Sequence, residues 1–150
     1  MKAINSITTG SKTNIPLQKL VNDVVARSCA GTANDKILIK NNISADLYIN
    51  TNEDIVASVI EGMLGSMIAN AGDGDIDISA RELFSNTIKL CVRDNNCYNT
   101  YAVACSLQTM VPLTEKIGGY LNITNQRQKI TTIEFSFPIV KDDEKEREEE

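Results

Sequence analysis

The chain has 150 residues, 42% of them hydrophobic and 23% charged, enough to bury one substantial core and ordinary for a soluble globular domain. Its formal charge of −5 is concentrated in Lys141 to Glu150, where seven acids stand against three bases; the body is nearly neutral and offers no basic face to nucleic acid. Histidine is absent, which excludes Ser-His-Asp and Cys-His catalysis, His-ligated metals and phosphohistidine.

The first 13 residues are polar, carry no apolar core of a signal peptide, and are expected to form a flexible N-terminus. Asn14-Ile15-Pro16 is expected to open a first helix, with Leu17, Leu20, Val21, Val24 and Ser28 facing inward and Gly31 stopping it. Lys36 to Lys40 and Asp46 to Asn50 read as short strands separated by an Asn-Asn-Ile-Ser turn. A long amphipathic helix follows. Ile55, Val56, Val59, Ile60, Met63, Leu64, Met67 and Ile68 recur at helical spacing. Thr51 and Asp54 resemble a capping box at its head, and Ala71-Gly72-Asp73-Gly74 ends it. Met63 and Met67 are expected to fill the core, and Glu61 lies just outside the apolar stripe.

Asp75 to Ala80 and Thr87 to Arg93 both alternate apolar with polar, which predicts a hairpin with one wet face. Asp94 to Asn99 is a polar loop. Ser106 to Ile117 reads as a shorter helix that starts or kinks at Pro112, capped by Gly118-Gly119. Tyr120 to Thr124 and Thr132 to Phe137 form a last hairpin, ended by Pro138. The four cysteines form no CxxC pair and are expected to be free thiols in a reducing compartment, Cys29 and Cys91 buried and Cys97 more exposed. No stretch is long and apolar enough to span a membrane, so the expected location is cytoplasmic, with no membrane partner. The pattern predicts an α+β fold: a two-layer sandwich with a mixed, mostly antiparallel sheet and three helices on one face, over residues 14–140, followed by a charged tail over 141–150.

This order and several short motifs resemble the ATP-binding domain of sensor histidine kinases, the GHKL (Bergerat) fold. The segments that carry the resemblance are Leu17 to Leu20, Asp46 to Asn50, Val59 to Met67, Leu90 to Tyr98, Gly118 to Asn125 and Thr132 to Pro138. In that family an N-box helix presents two asparagines one turn apart, and the second holds Mg²⁺. Gly62 and Ser66 stand at those positions, and neither replaces an amide oxygen as a hard-cation ligand. The basic residue that follows the N-box in many kinases is matched by Ala69 or Asn70. Asp94 matches the acid that accepts a hydrogen bond from the adenine amino group, and Thr132 matches a threonine near the adenine. Two glycines of the same loop are replaced by Asn96 and Tyr98, and Thr100 to Leu107 holds none of the glycines of the phosphate-cradling box.

The resemblance therefore implies a degenerate nucleotide pocket made of Gly62, Ser66, Asp94 and Thr132, with no catalytic residue, metal or cofactor. It further implies a non-catalytic, protein-binding or regulatory module of bacterial two-component-type signalling, its partner a receiver domain or a kinase. One alternative is an ATP- or ADP-binding domain, or a kinase of the anti-sigma-factor type. Another is an unrelated α+β domain, in which Asp94-Asn95-Asn96 is simply an Asx turn.

Overall fold

The computed structural model describes residues 14–30, 37–70, 74–84, 86–97, 99–127 and 129–139. Expectations placed on 1–13, 31–36, 71–73, Tyr98 and 140–150 fall outside them, as does the side chain of Cys29.

The strands are β1 (Ile15–Pro16), β2 (Ile37–Asn41), β3 (Tyr48–Ile49), β4 (Gly74–Leu83), β5 (Thr87–Asp94), β6 (Tyr120–Gln126) and β7 (Ile130–Pro138). The helices are α1 (Leu17–Ala30), α2 (Glu53–Asn70), α3 (Thr100–Leu107) and α4 (Val111–Lys116), with a 3₁₀ turn at Gln108–Met110 joining the last two. One five-stranded mixed sheet runs in the order β2-β4-β5-β7-β6; only β2 and β4 are parallel. A two-residue pairing of β1 with β3 forms a separate clip at the start of α1. The two-layer α+β sandwich expected from the sequence is present.

Alternation along the strands sorts the two faces. Ile76 and Ile78 of β4, Ile88, Leu90 and Val92 of β5, and Ile133, Phe135 and Phe137 of β7 are buried and join one core with the helices. The rings of Phe135 and Phe137 lie 4.8 Å apart between centroids. Against this sheet α1 sets Leu17, Leu20, Val21 and Val24, and α2 sets Val56, Val59, Ile60, Met63, Leu64 and Met67, all buried. Each such side chain contributes about 1.5–3 kcal/mol of apolar transfer energy. Met63 and Met67 are core residues as expected, and Glu61 is exposed.

Several local expectations are corrected. Ile15 and Pro16 are strand rather than helix, because their backbones pair with Ile49 and Tyr48. Asn52, not Thr51, caps α2: its side-chain oxygen accepts the Ile55 N–H at 3.1 Å. The expected helix over Ser106 to Ile117 begins earlier and is divided. Asn99 caps α3 by accepting the Ala102 N–H, and Pro112 sits in the first turn of α4, where its missing N–H costs nothing. Cys97 is buried, not exposed, because its N–H donates to the Lys129 carbonyl at 2.8 Å and draws the loop under the β6–β7 turn. Cys91 is half-buried on the open face of the sheet.

The end of α4 is a Schellman motif. Gly119 N–H donates to the Thr114 carbonyl at 2.8 Å and Gly118 N–H to Glu115 at 3.1 Å, with Gly118 at φ +74°. The expected Gly118-Gly119 cap is present.

Candidate functional site

Asp94 closes β5 on its helix-facing side and is 0% exposed. Its Oδ1 accepts the Asn96 N–H at 2.9 Å, which makes 94–96 an Asx turn. Its Oδ2 is buried with no hydrogen-bond partner among the described residues. Burial raises the Asp94 pKa, the Asn96 N–H lowers it, and the charge of Asp75 raises it again; the net shift is upward. Asn96 does not use the left-handed backbone region, which among described non-glycine residues is occupied by Asn86 and Arg127.

Thr132 does not share this face. It pairs with Arg93, while Thr131 pairs with Asp94 and is fully buried. The expectation for Thr132 is thus displaced by one residue, and one residue in a strand reverses the face. The inward run Ile133, Phe135, Phe137, extended backward by two, points to Thr131, and this signal was available in the sequence. Thr131 is the hub of a polar cluster. Its Oγ1 donates to the Cys97 carbonyl at 3.2 Å and lies 2.7 Å from the Thr100 Oγ1. Asn125 Nδ2 donates to Thr100 Oγ1 at 2.6 Å and to Thr131 Oγ1 at 3.3 Å. The cluster ties the start of α3 to β6 and β7. Asn125→Ala is expected to cost about 1 kcal/mol, read as a lower urea midpoint at unchanged slope.

Gly62 and Ser66 both lie on α2 toward α3 and the 3₁₀ turn, and both are engaged by this chain. A Cβ built on Gly62 would lie 2.5 Å from the Met110 Sδ and 2.9 Å from its Cγ. Ser66 Oγ donates to Ser106 Oγ of α3 at 2.9 Å. Ala69 is exposed, and Asn70 Nδ2 donates back to the Ser66 carbonyl at 2.8 Å. The roles of Met110 and Ser106 carry no signal in the sequence, since each depends on how α3 docks.

The open face of the sheet holds a polar hollow of about 600 Å³, lined by Lys40, Asp77, Arg93, Thr132 and Glu134 among others. Arg93 pairs there with Asp77 at 3.5 Å, and Lys89 with Glu134 at 3.3 Å. Cys91 shares that face; burial, then Glu134, pushes its thiol up against the pull of Lys89 and Arg81, so it is a poor nucleophile. A smaller hollow of about 190 Å³ lies between α3, α4 and β6, lined by Leu107, Val111, Leu121 and Ile123 among others. Among the described residues no group of three or more His, Cys, Asp or Glu is placed to hold a metal, and no helix is long and apolar enough to cross a membrane.

No protein-family model matches the sequence, and no curated protein matches it at a significant level. Solved structures do match. The nucleotide-free catalytic domain of the histidine kinase ThkA superposes with a TM-score of 0.69 at 15% identity, over 85% of this chain and 96% of that one. A histidine kinase from Burkholderia phymatum gives 0.69 at 11% identity, over 91% of this chain and 76% of that one. ShkA, solved full-length in complex with AMPPNP, gives 0.71 at 15% identity over 85% of this chain, which spans only 31% of ShkA. With β2-β4-β5-β7-β6 backed by α1 and α2, and with these neighbours, the chain has the fold of a histidine kinase catalytic (ATPase-like) domain.

Proposed function

We propose that this is a non-catalytic, histidine kinase ATPase-like domain that acts as a protein-binding or regulatory module in two-component-type signalling. The observation that carries the reading is the occupancy of α2. At the two positions that the resemblance matches to the N-box asparagines, Gly62 meets the Met110 side chain and Ser66 bonds to Ser106. Phosphoryl transfer works by positioning and by neutralising charge with Mg²⁺, and Gly62 and Ser66 offer no carboxylate or amide for the ion. A receiver domain or a kinase is the partner this fold suggests by analogy.

A second reading is an ADP- or ATP-binding domain that works without Mg²⁺. Asp94 favours it, since Oδ2 is a buried acceptor that a ligand amino group would satisfy.

Calorimetry separates the two. ATP, ADP and a non-hydrolysable analogue, with and without Mg²⁺, are expected to give no binding heat up to roughly millimolar concentration. Micromolar binding that disappears in Asp94→Asn would overturn the first reading in favour of the second.

A further inference from the structure

We propose that Met110 is a latch that holds the α3–α4 segment closed over α2, and that Gly62 is the notch in which it seats. The inference does not depend on which ligand, if any, the protein binds. Glycine is a poor residue for the interior of a helix, and α2 contains two. Their surroundings differ. A Cβ at Gly65 would meet nothing within 4 Å, so the missing side chain there serves no packing need. A Cβ at Gly62 would fall within 3 Å of two Met110 atoms, Sδ and Cγ. Methionine suits such a seat because its unbranched, polarisable thioether fills an irregular gap that a branched side chain could not enter.

The rest of the segment is held at its start, near its middle and at its end. Thr100 is tied to Thr131 and Asn125 at its start, Ser106 to Ser66 near its middle, and Gly119 to Thr114 at its end. Val103, Leu107 and Thr114 are buried beneath it. Met110 lies in the 3₁₀ turn between α3 and α4, where Gln108 N–H donates to the Cys105 carbonyl and Val111 N–H to the Gln108 carbonyl, bonds one residue shorter than those of an α-helix. A side chain seated there joins the turn to α2 and adds to the contacts that make the two short helices move together.

The test is amide hydrogen exchange by mass spectrometry on the full chain, with Gly62→Ala, Met110→Ala, the double variant and Gly65→Ala. Gly62→Ala is expected to accelerate exchange across residues 100–116 about tenfold or more while β5 stays protected, because only local opening is released. The double variant is expected to exchange no faster in 100–116 than Met110→Ala alone, since the wedge has nothing left to strike. Gly65→Ala should leave that segment unchanged. Unaltered exchange over 100–116 in Gly62→Ala, equal acceleration in β5, or additive effects in the double variant would each overturn the latch. If Gly62→Ala does not fold, Met110→Ala decides on the same amides: selective release of 100–116 supports the latch, and unchanged protection overturns it.

Discussion

Replacing Gly119 with alanine is expected to destabilise the domain by about 3 kcal/mol, a fall of roughly 10 °C in Tm. An added Cβ would stand 2.5 Å from the Ser136 carbonyl oxygen, 3.1 Å from the Phe137 Cβ and 3.3 Å from a ring carbon of Phe135. The nearest of these atoms is backbone in β7, a central strand with β5 on one side and β6 on the other, so it cannot retreat. Gly118 makes a useful comparison. Its requirement is conformational, at φ +74°, and its nearest neighbour is the Pro138 ring at 3.5 Å. Gly118→Ala should therefore cost only about 1–2 kcal/mol, the penalty of a left-handed backbone. Thermal unfolding of the two variants side by side checks the ranking. An equal or smaller loss at Gly119 would show that β6 can shift away from β7 at its start.

Asp94→Asn is expected to stabilise the protein at neutral pH by about 1–2 kcal/mol, because it removes the charge from a buried oxygen that has no partner among the described residues. The dependence on pH identifies the cause. Burial holds the Asp94 pKa above its ordinary value, so the folded protein binds this proton more tightly than the unfolded chain does. The contribution of Asp94 is then most favourable below the unfolded value near pH 3.9; it is lost as pH rises through the raised folded value and is constant above it. The Tm difference between Asp94→Asn and the parent should accordingly widen from about pH 4 upward and then level off. A difference that does not vary with pH, or a parent more stable at pH 7, would mean that Oδ2 has an effective partner in solution. It would also weaken the nucleotide-binding reading, which rests on that oxygen lacking a partner within the protein. The same carboxylate thus serves two measurements, one of stability and one of ligand binding, whose outcomes constrain each other.

Much of the architecture is legible because it rests on local periodicity. The apolar spacing of α2 specifies a helix and the face it buries, since every residue in the stripe meets the same core. Strict alternation in β4 and β5 specifies an antiparallel pair with one wet face, and Gly118 stops α4 because few residues tolerate positive φ. The resemblance to histidine kinase ATPase domains, drawn from the order of these pieces, agrees with the solved structures that share the fold.

The site is a different matter, because its residues meet across elements that the sequence does not order. Asp94 reads as the start of a polar loop, and in the fold it ends β5 on the inner face, where its partner across the sheet is Thr131 and not Thr132. That choice is set by strand register, and a slip of one position exchanges the faces. Cys97 sits among polar residues and is nonetheless buried, because the loop is pulled in by the carbonyl of Lys129, far along the chain. Gly62 reads alone as a lost ligand, and in the fold it is the space that Met110 fills. The sequence by itself determined the long elements, α2 and the β4–β5 and β6–β7 hairpins, and the faces they bury, because those depend on neighbours a few residues away. Only the tertiary structure decided what covers α2 and what lies beside Asp94, because those contacts join residues 31 to 48 positions apart, through docking that no local pattern encodes.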